Sequence, residues 1–427
     1  MNIFNLLGTA IIYDNNLQNV PLNELGITAF VGKVIETLSF GGTLAIGILL
    51  FSLILKIIPL PFDIYSRAAT KKNVLKMEKM RPELERLQKQ YSNNKELYNQ
   101  KLMALYKKQG YSQFSACLPS IITLVFFMIV ISAFQQYSVY CKVDVFNQMA
   151  TSYSESIRYN DNITVTEYAF KESGEVDTNN VLGVYNTLEE KENFFKNPEN
   201  SVYGNNIVYN YELTDEEYET LIKKPAQKAA AEKYKEISNK NSFLWIKNIW
   251  IEDLPWKKAF VDETTYTSTV FSYNQGCSTK KLESSINSKT AYNDIFSDEF
   301  ILEQRNTPNG YLILVVISIA SMLLSQLLMN KAQKAQMELQ TVDGAMGQAA
   351  QTTKMMTWMM PIMFGVFAFM YSSAFSLYLI VSTLFSTGST FVINKIVEKN
   401  FAKQVQKEQE NEYQKRYGHL NRNKEEK

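Results

Sequence analysis

Only one of 427 residues is histidine, three are cysteine, ten are proline and seventeen are glycine. That scarcity removes whole classes of chemistry. The one histidine, His419, lies in a charged C-terminal stretch, so no Ser-His pair, imidazole base or zinc pattern can be assembled. No glycine-rich loop is placed to cradle a phosphate. No paired aspartates or metal ligands fall in the apolar stretches, where an intramembrane protease would need them. The chain therefore reads as a non-enzyme without a cofactor, and any energy from nucleotides must come from a partner.

Carboxylates are also missing from five apolar stretches: residues 38–62, 115–137, 311–329, 355–371 and 374–393. Each is close to the ~20 residues an α-helix needs to cross about 30 Å of hydrocarbon. The expected fold class is thus a polytopic α-helical membrane protein with five transmembrane helices. A mean hydropathy of -0.19 hides the spans, because polar segments dilute them. Polar spans without Asp or Glu in their interior argue against a proton or cation pump.

Basic residues set the orientation. Residues 66–113 hold 12 Lys/Arg against 4 Asp/Glu, whereas residues 138–308 hold 18 against 27. The first segment is expected in the cytoplasm and the second outside. Five spans then place the N-terminus outside and a basic tail, residues 394–427, in the cytoplasm. Residues 330–354 become a cytoplasmic loop. The net charge of +1 is the sum of these opposed regions and implies no nucleic-acid partner.

Residues 1–37 carry an apolar run, Ile3 to Tyr13, that lacks the basic flank of a signal peptide and is interrupted by Asn5, Gly8 and Thr9. Cleavage is the minor alternative to retention. Ile27, Phe30, Val31, Val34, Ile35 and Leu38 then recur at helical spacing. They predict either an amphipathic helix in the outer interface or an extension of the first span.

In the basic loop, Met77, Met80, Leu84, Leu87 and Tyr91 recur at steps of three and four. Asn93 and Asn94 end that stripe, and Leu97, Tyr98, Leu102, Leu105 and Tyr106 start a second one that stops at Gly110. The pattern predicts a helical hairpin, with Pro82 kinking or restarting its first helix. Two readings of the stripe stay open. It seals a coiled coil, or Met77, Met80, Leu84 and Leu87 contact clients and lipid, a use that suits adaptable Met side chains.

Lys56 interrupts the first span near its cytoplasmic end. Such a residue either snorkels to the headgroups or faces a water-filled recess between helices. Groups able to line a recess occur on other spans: Ser120 and Thr123 on the second, Ser321, Ser325 and Gln326 on the third, Ser382, Thr383, Ser386, Thr387 and Ser389 on the fifth.

Residues 138–308 are rich in Tyr, Asn, Ser and Thr. The run Ile207 to Tyr211 alternates as a strand does, and Thr214 with Glu217 spells a capping box opening a helix to about Ile237. An external α+β domain is expected, with a disordered insertion as the alternative. Cys141 and Cys277 both fall on the external side and are a candidate disulfide, set against two free thiols.

Taken in order, several motifs resemble the YidC/Oxa/Alb family of membrane insertases. They are Lys56 through Pro61, then KMEKMRPELERLQKQY, then ALYKKQGYSQFSACLPSII, then Phe243 to Trp250 (FLWIKNIW), a Met-rich fourth span with Pro361, and Leu377-Tyr378 in the fifth. The family position matching Lys56 usually holds Arg. The resemblance implies a chaperone-like insertase that moves hydrophobic client segments from the cytoplasm into the bilayer through a polar groove, here Lys56, Thr123, Gln326, Thr383 and Ser386. It further implies a bacterial plasma-membrane location, nascent membrane-protein clients and lipids as partners, and the ribosome and Sec translocon as associates. A channel or transporter is the rival class, although no inverted repeat supports it.

Overall fold

The structure is a computed structural model that describes residues 7–11, 26–111, 114–171, 173, 175–196, 206–266, 288–341, 359, 362–363 and 365–425. The chain runs through β1 (Leu7–Thr9), α1 (Ile27–Leu38), α2 (Leu44–Ile57), α3 (Leu60–Gln90), α4 (Lys95–Lys108) and α5 (Phe114–Arg158). Then follow β2 (Thr164–Phe170), β3 (Val176–Tyr185), α6 (Leu188–Lys196) and β4 (Ile207–Glu212). The order continues with α7 (Asp215–Tyr218), a π turn (Glu219–Lys223), α8 (Lys224–Asn241), α9 (Ser288–Ile295), α10 (Glu299–Asn306), α11 (Ile313–Thr341) and α12 (Ser373–Glu425). Two compact units result. The first comprises Met1–Ile48, Ser132–Leu314 and Tyr371–Ala374, and the second Leu49–Ile131, Val315–Met370 and Phe375–Lys427.

In the first unit, the C-terminal part of α5 presents Phe146, Met149, Ala150, Tyr153 and Ile157 at helical spacing to Ala226, Ala230, Tyr234 and Ile237. Small Ala residues let the helices approach, and aromatics fill the remaining space. Phe146 meets Tyr266 edge-on at 4.6 Å, and Phe260 meets Phe296 at 5.3 Å. An antiparallel sheet in the order β1-β4-β2-β3 covers this core, with β1 pairing Leu7 with Glu212 and Thr9 with Asn210. The stretch Leu7–Thr9, read above only as part of an apolar run, is thus an edge strand of the sheet.

The capping box at Thr214 and Glu217 is formed in both directions. The helix it opens passes through the π turn to Asn241, four residues beyond Ile237. Pro225 explains the disturbance: it has no N–H for the Leu221 carbonyl, which instead accepts from Asn160 Nδ2 at 2.9 Å.

α1 is a helix in its own right. Phe40 and Gly41, both at positive φ, turn the chain before α2, and Gly47 lets α2 touch α1, since a Cβ there would land on the Ile35 carbonyl. Val31 and Ile35 are buried, while Ile27 and Phe30 stay exposed. The predicted apolar stripe is therefore divided between protein contact and the outside. Glu36 and Thr28 tie α1 to α5 through Tyr137 Oη at 3.0 Å and Gln136 Oε1 at 2.8 Å.

A polar knot fastens residues 248–253 to the starts of α11 and α12. The Asn309 amide accepts from the Asn248 N–H at 2.8 Å and donates to the carbonyls of Asn248, Ile251 and Glu252. The buried Asp253 carboxylate accepts from the N–H groups of Tyr311 at 2.7 Å and Leu314 at 2.6 Å, capping α11 from another part of the chain. Gly310 is required beside it, because a Cβ would land on Asp253 Oδ1. Ser373 and Ala374 donate their N–H groups to Ile251 and Ile249.

In the second unit, α3 and α4 form a hairpin. Asn94 caps α4 by accepting from the Leu97 N–H at 3.1 Å. Of the two expectations for Pro82, a kink or a restart, the restart does not occur: α3 runs unbroken through it. Pro82 is exposed, so water can take its orphaned carbonyl, while Met80 and Leu84 anchor the helix on either side.

Among the described residues, the helical stretch Ser373–Lys403 is long and apolar enough to cross a bilayer. The pair α2 and α3, bent by 41°, passes together as one broken span, and Ile313–Met329 is a shorter apolar helix. In the expected fourth span, residues 355–358, 360–361 (Pro361 among them) and 364 lie outside the described residues.

Candidate functional site

Lys56 sits in the last turn of α2, where a cation complements the negative end of the helix dipole. Its Nζ lies 5.2 Å from the centre of the Phe127 ring on α5. Phe127 is 6.1 Å from Tyr378 on α12, which stacks on Phe375 at 6.0 Å. The amine therefore rests on an aromatic wall drawn from other helices, a contact type worth about 0.5–2 kcal/mol. An amine snorkelling clear of its neighbours would have no ring beneath it.

Just beyond the α2–α3 bend, Asp63 lies within electrostatic reach of both Lys56 and Arg67. Arg67 reaches α12, donating from Nη2 to Thr390 Oγ1 at 2.7 Å and from Nη1 to Asn394 Oδ1 at 3.3 Å. Sequence reasoning missed Asp63 and Arg67. The signal was present in DIYSR, an acid and a base four residues apart at a helix start.

Hydroxyl groups link the other helices. Thr387 Oγ1 is 2.6 Å from Ser325 Oγ on α11 and 2.8 Å from the Thr383 carbonyl. The Ser386 carbonyl accepts from Ser389 and Thr390. Gln326, Thr383 and Ser386 are half-buried. Thr123 lies on α5, with its side chain outside the described residues. The structure thus brings Lys56 against Phe127, and Ser325 against Thr387. An amine held over an aromatic ring can attract a carboxylate.

The hairpin differs from the expected contact face. Met77, Met80 and Leu84 are 1–3% exposed and pack with Tyr98, Leu102, Leu105 and Tyr106, with Leu87 half-buried at their edge. Two antiparallel helices bearing complementary stripes bury them against each other first. The stripe is the seam of the hairpin, and Met103, 62% exposed, is the methionine it leaves outside.

Cys141 is a free, buried thiol, and Cys277, the other half of the candidate disulfide, lies outside the described residues. Burial pushes the Cys141 thiol well above its ordinary pKa, with the Tyr137 hydroxyl hydrogen-bonded to it and pulling the other way. The thiol is buried on α5.

The model of the family described as 60Kd inner membrane protein matches residues 36–170 and 218–400. The unmatched stretch between them carries β3, α6 and β4. The chain is also similar to proteins named membrane protein insertase YidC. That of Clostridium perfringens is 34% identical over 98 residues, covering 23% of this chain and 39% of that protein. That of Enterococcus faecalis is 30% identical over 102 residues, 23% of this chain and 36% of that protein. For Treponema denticola the figures are 34% over 92 residues, 22% and 15%. The alignments thus span less than two fifths of the length of these curated relatives. No solved structure matches.

Proposed function

From the premise that this chain belongs to the 60Kd inner membrane protein family, that of the YidC/Oxa/Alb insertases, we propose that it is a membrane protein insertase. It receives hydrophobic segments of nascent clients from the cytoplasm and releases them into the lipid bilayer. Five spans, with the N-terminus outside and the C-terminus in the cytoplasm, are part of the proposal, as are the ribosome and the Sec translocon as sources of clients.

The observation that carries the mechanism is the placement of Lys56 on the Phe127 ring, 5.2 Å away. A charged client flank at the bilayer centre costs about 2.5–3.5 kcal/mol per residue. An amine held among helices lowers that cost for an acidic flank, and nearby hydroxyl groups replace part of the lost hydration. As a point charge with three donors, Lys56 offers attraction without the planar fork of an arginine. The client's apolar segment then gains about 25 cal/mol per Å² of surface moved out of water, which drives the step. Its helix satisfies its own backbone in lipid.

Reconstituting the purified chain in liposomes tests the reading. Protease-protected insertion of a single-span client, with no rise in ion leak over empty vesicles, is the expected result. Ion flux without insertion would instead support a channel.

A further inference from the structure

We propose that the external unit is seated on the outer leaflet by an apolar tip made of Leu244, Trp256 and Tyr311, and that its partner there is the lipid headgroup–acyl boundary. The inference rests on the reading of α11 and α12 as spans.

The tip is built around the polar knot. Asp253 binds the N–H groups of Tyr311 and Leu314, which places residue 253 at the first turn of α11. The N–H groups of Ser373 and Ala374 bind Ile251 and Ile249, which places the same segment at the first turn of α12. Trp256 follows Asp253 by three residues, and Tyr311 precedes α11 by two. Leu244 is carried by the short turn closed between Phe243 and Ile246, with φ of 53°, and the Ile246 side chain lies against Gly310. All three residues are thereby tied to the outer ends of two apolar helices.

Their exposure is 75% for Leu244, 62% for Trp256 and 60% for Tyr311, although their neighbours Trp250, Ile251 and Leu254 are buried. A soluble surface gains nothing from three large apolar groups together. At a membrane boundary, Trp and Tyr rings are favoured, with the ring body among acyl chains and the polar tip among headgroups. Lys247, Lys257 and Lys258 are exposed beside the tip, Lys257 within 4.0 Å of the Glu252 carboxylate and Lys258 donating to the Asn306 carbonyl at 3.1 Å, so that their stems can lie along the boundary and the Lys247 ammonium can meet phosphates. Rim lysines around an apolar tip fit an anionic lipid surface better than they fit the apolar interior of another protein. Continuity with the span ends names lipid as the occupant.

Lipid-borne bromine quenching of tryptophan fluorescence tests this in the full-length protein, reconstituted in vesicles of phosphatidylcholine and phosphatidylglycerol. The component of emission lost on Trp256→Tyr is measured with bromines placed high or low on the acyl chains. The expected result is that this component is quenched most by high bromines, is shielded from aqueous acrylamide, and shifts to the blue relative to detergent-free water-exposed tryptophan. A Leu384→Trp variant on the exposed face of α12 serves as the reference and is expected to be quenched by low bromines. If the Leu384→Trp signal is quenched and the Trp256 component is not, the seating is wrong while the span reading stands. If neither is quenched, the span reading itself fails. Strong acrylamide quenching of Trp256 in vesicles, or quenching lost only when a second protein is added, would point to a protein partner and overturn the proposal.

Discussion

Asp253 and Leu314 are joined by a 2.6 Å hydrogen bond from the Leu314 N–H to the buried Asp253 carboxylate, so that one segment of the first unit caps a helix that begins sixty residues later. The same carboxylate holds the N–H of Tyr311. Asp253→Ala strands two buried donors and is expected to destabilise the first unit by about 2–4 kcal/mol. Asp253→Asn keeps one acceptor and should cost less. Denaturant unfolding in detergent, followed by the fluorescence of the buried Trp250, measures the order; equal stability of all three proteins would contradict the capping role.

Truncating the hairpin seam should loosen the hairpin itself. Leu84→Ala leaves a cavity against Tyr98 and Leu102 and is expected to cost about 2–4 kcal/mol locally. Hydrogen exchange across residues 77–106 should accelerate, with the apolar helices unaffected. Unchanged exchange there would return the stripe to a free contact face.

For the cysteine, the expectation is a thiol that is silent in the folded protein and reactive after unfolding without reductant. Burial keeps Cys141 protonated and closed to reagents. Mass spectrometry of thiol-labelled protein reads this directly. A Cys141 that labels only after reduction would show a bridge.

The Thr214 capping box carries a pH signature. Glu217 accepts from the Thr214 N–H at 2.9 Å and from its Oγ1 at 2.8 Å, and these bonds hold its carboxyl below the ordinary carboxylate range. A folded-state value depressed below the unfolded one gives stability that is present above the unfolded pKa, about 4.3. It is lost as pH falls through the lower folded value. Wild type should thus exceed Glu217→Gln at neutral pH and converge with it in acid. A difference that grows on acidification would contradict the assignment.

Local signals were legible in the sequence, and distant ones were not. Thr214 with Glu217, the alternation of Ile207 to Tyr211, and Asn94 before Leu97 each depend on residues within a few positions of one another. Pro82 does not restart the helix, because propensity speaks for an isolated helix whereas Met80 and Leu84 hold this one from its partner. The Met stripe announced that it would be buried but could not name its partner, which helical periodicity does not encode. Apolar runs mark where helices are oily and not where they stop, so α5 continues to Arg158, well past residue 137. The Asp253–Asn309 knot joins side chains to backbone groups some sixty positions away, and no spacing rule reaches that far. At the candidate site, the charge of Lys56 was visible, but its rest on Phe127 and the Arg67 bridge to Thr390 required the fold.

The most direct test of the insertase account is client insertion into liposomes by variants at Lys56, at matched protein levels and with a client bearing an acidic flank. The account predicts that Lys56→Arg retains insertion, because the charge is kept, and that Lys56→Ala and Lys56→Glu lose it, the reversed charge most severely. Unchanged insertion by Lys56→Glu would contradict it.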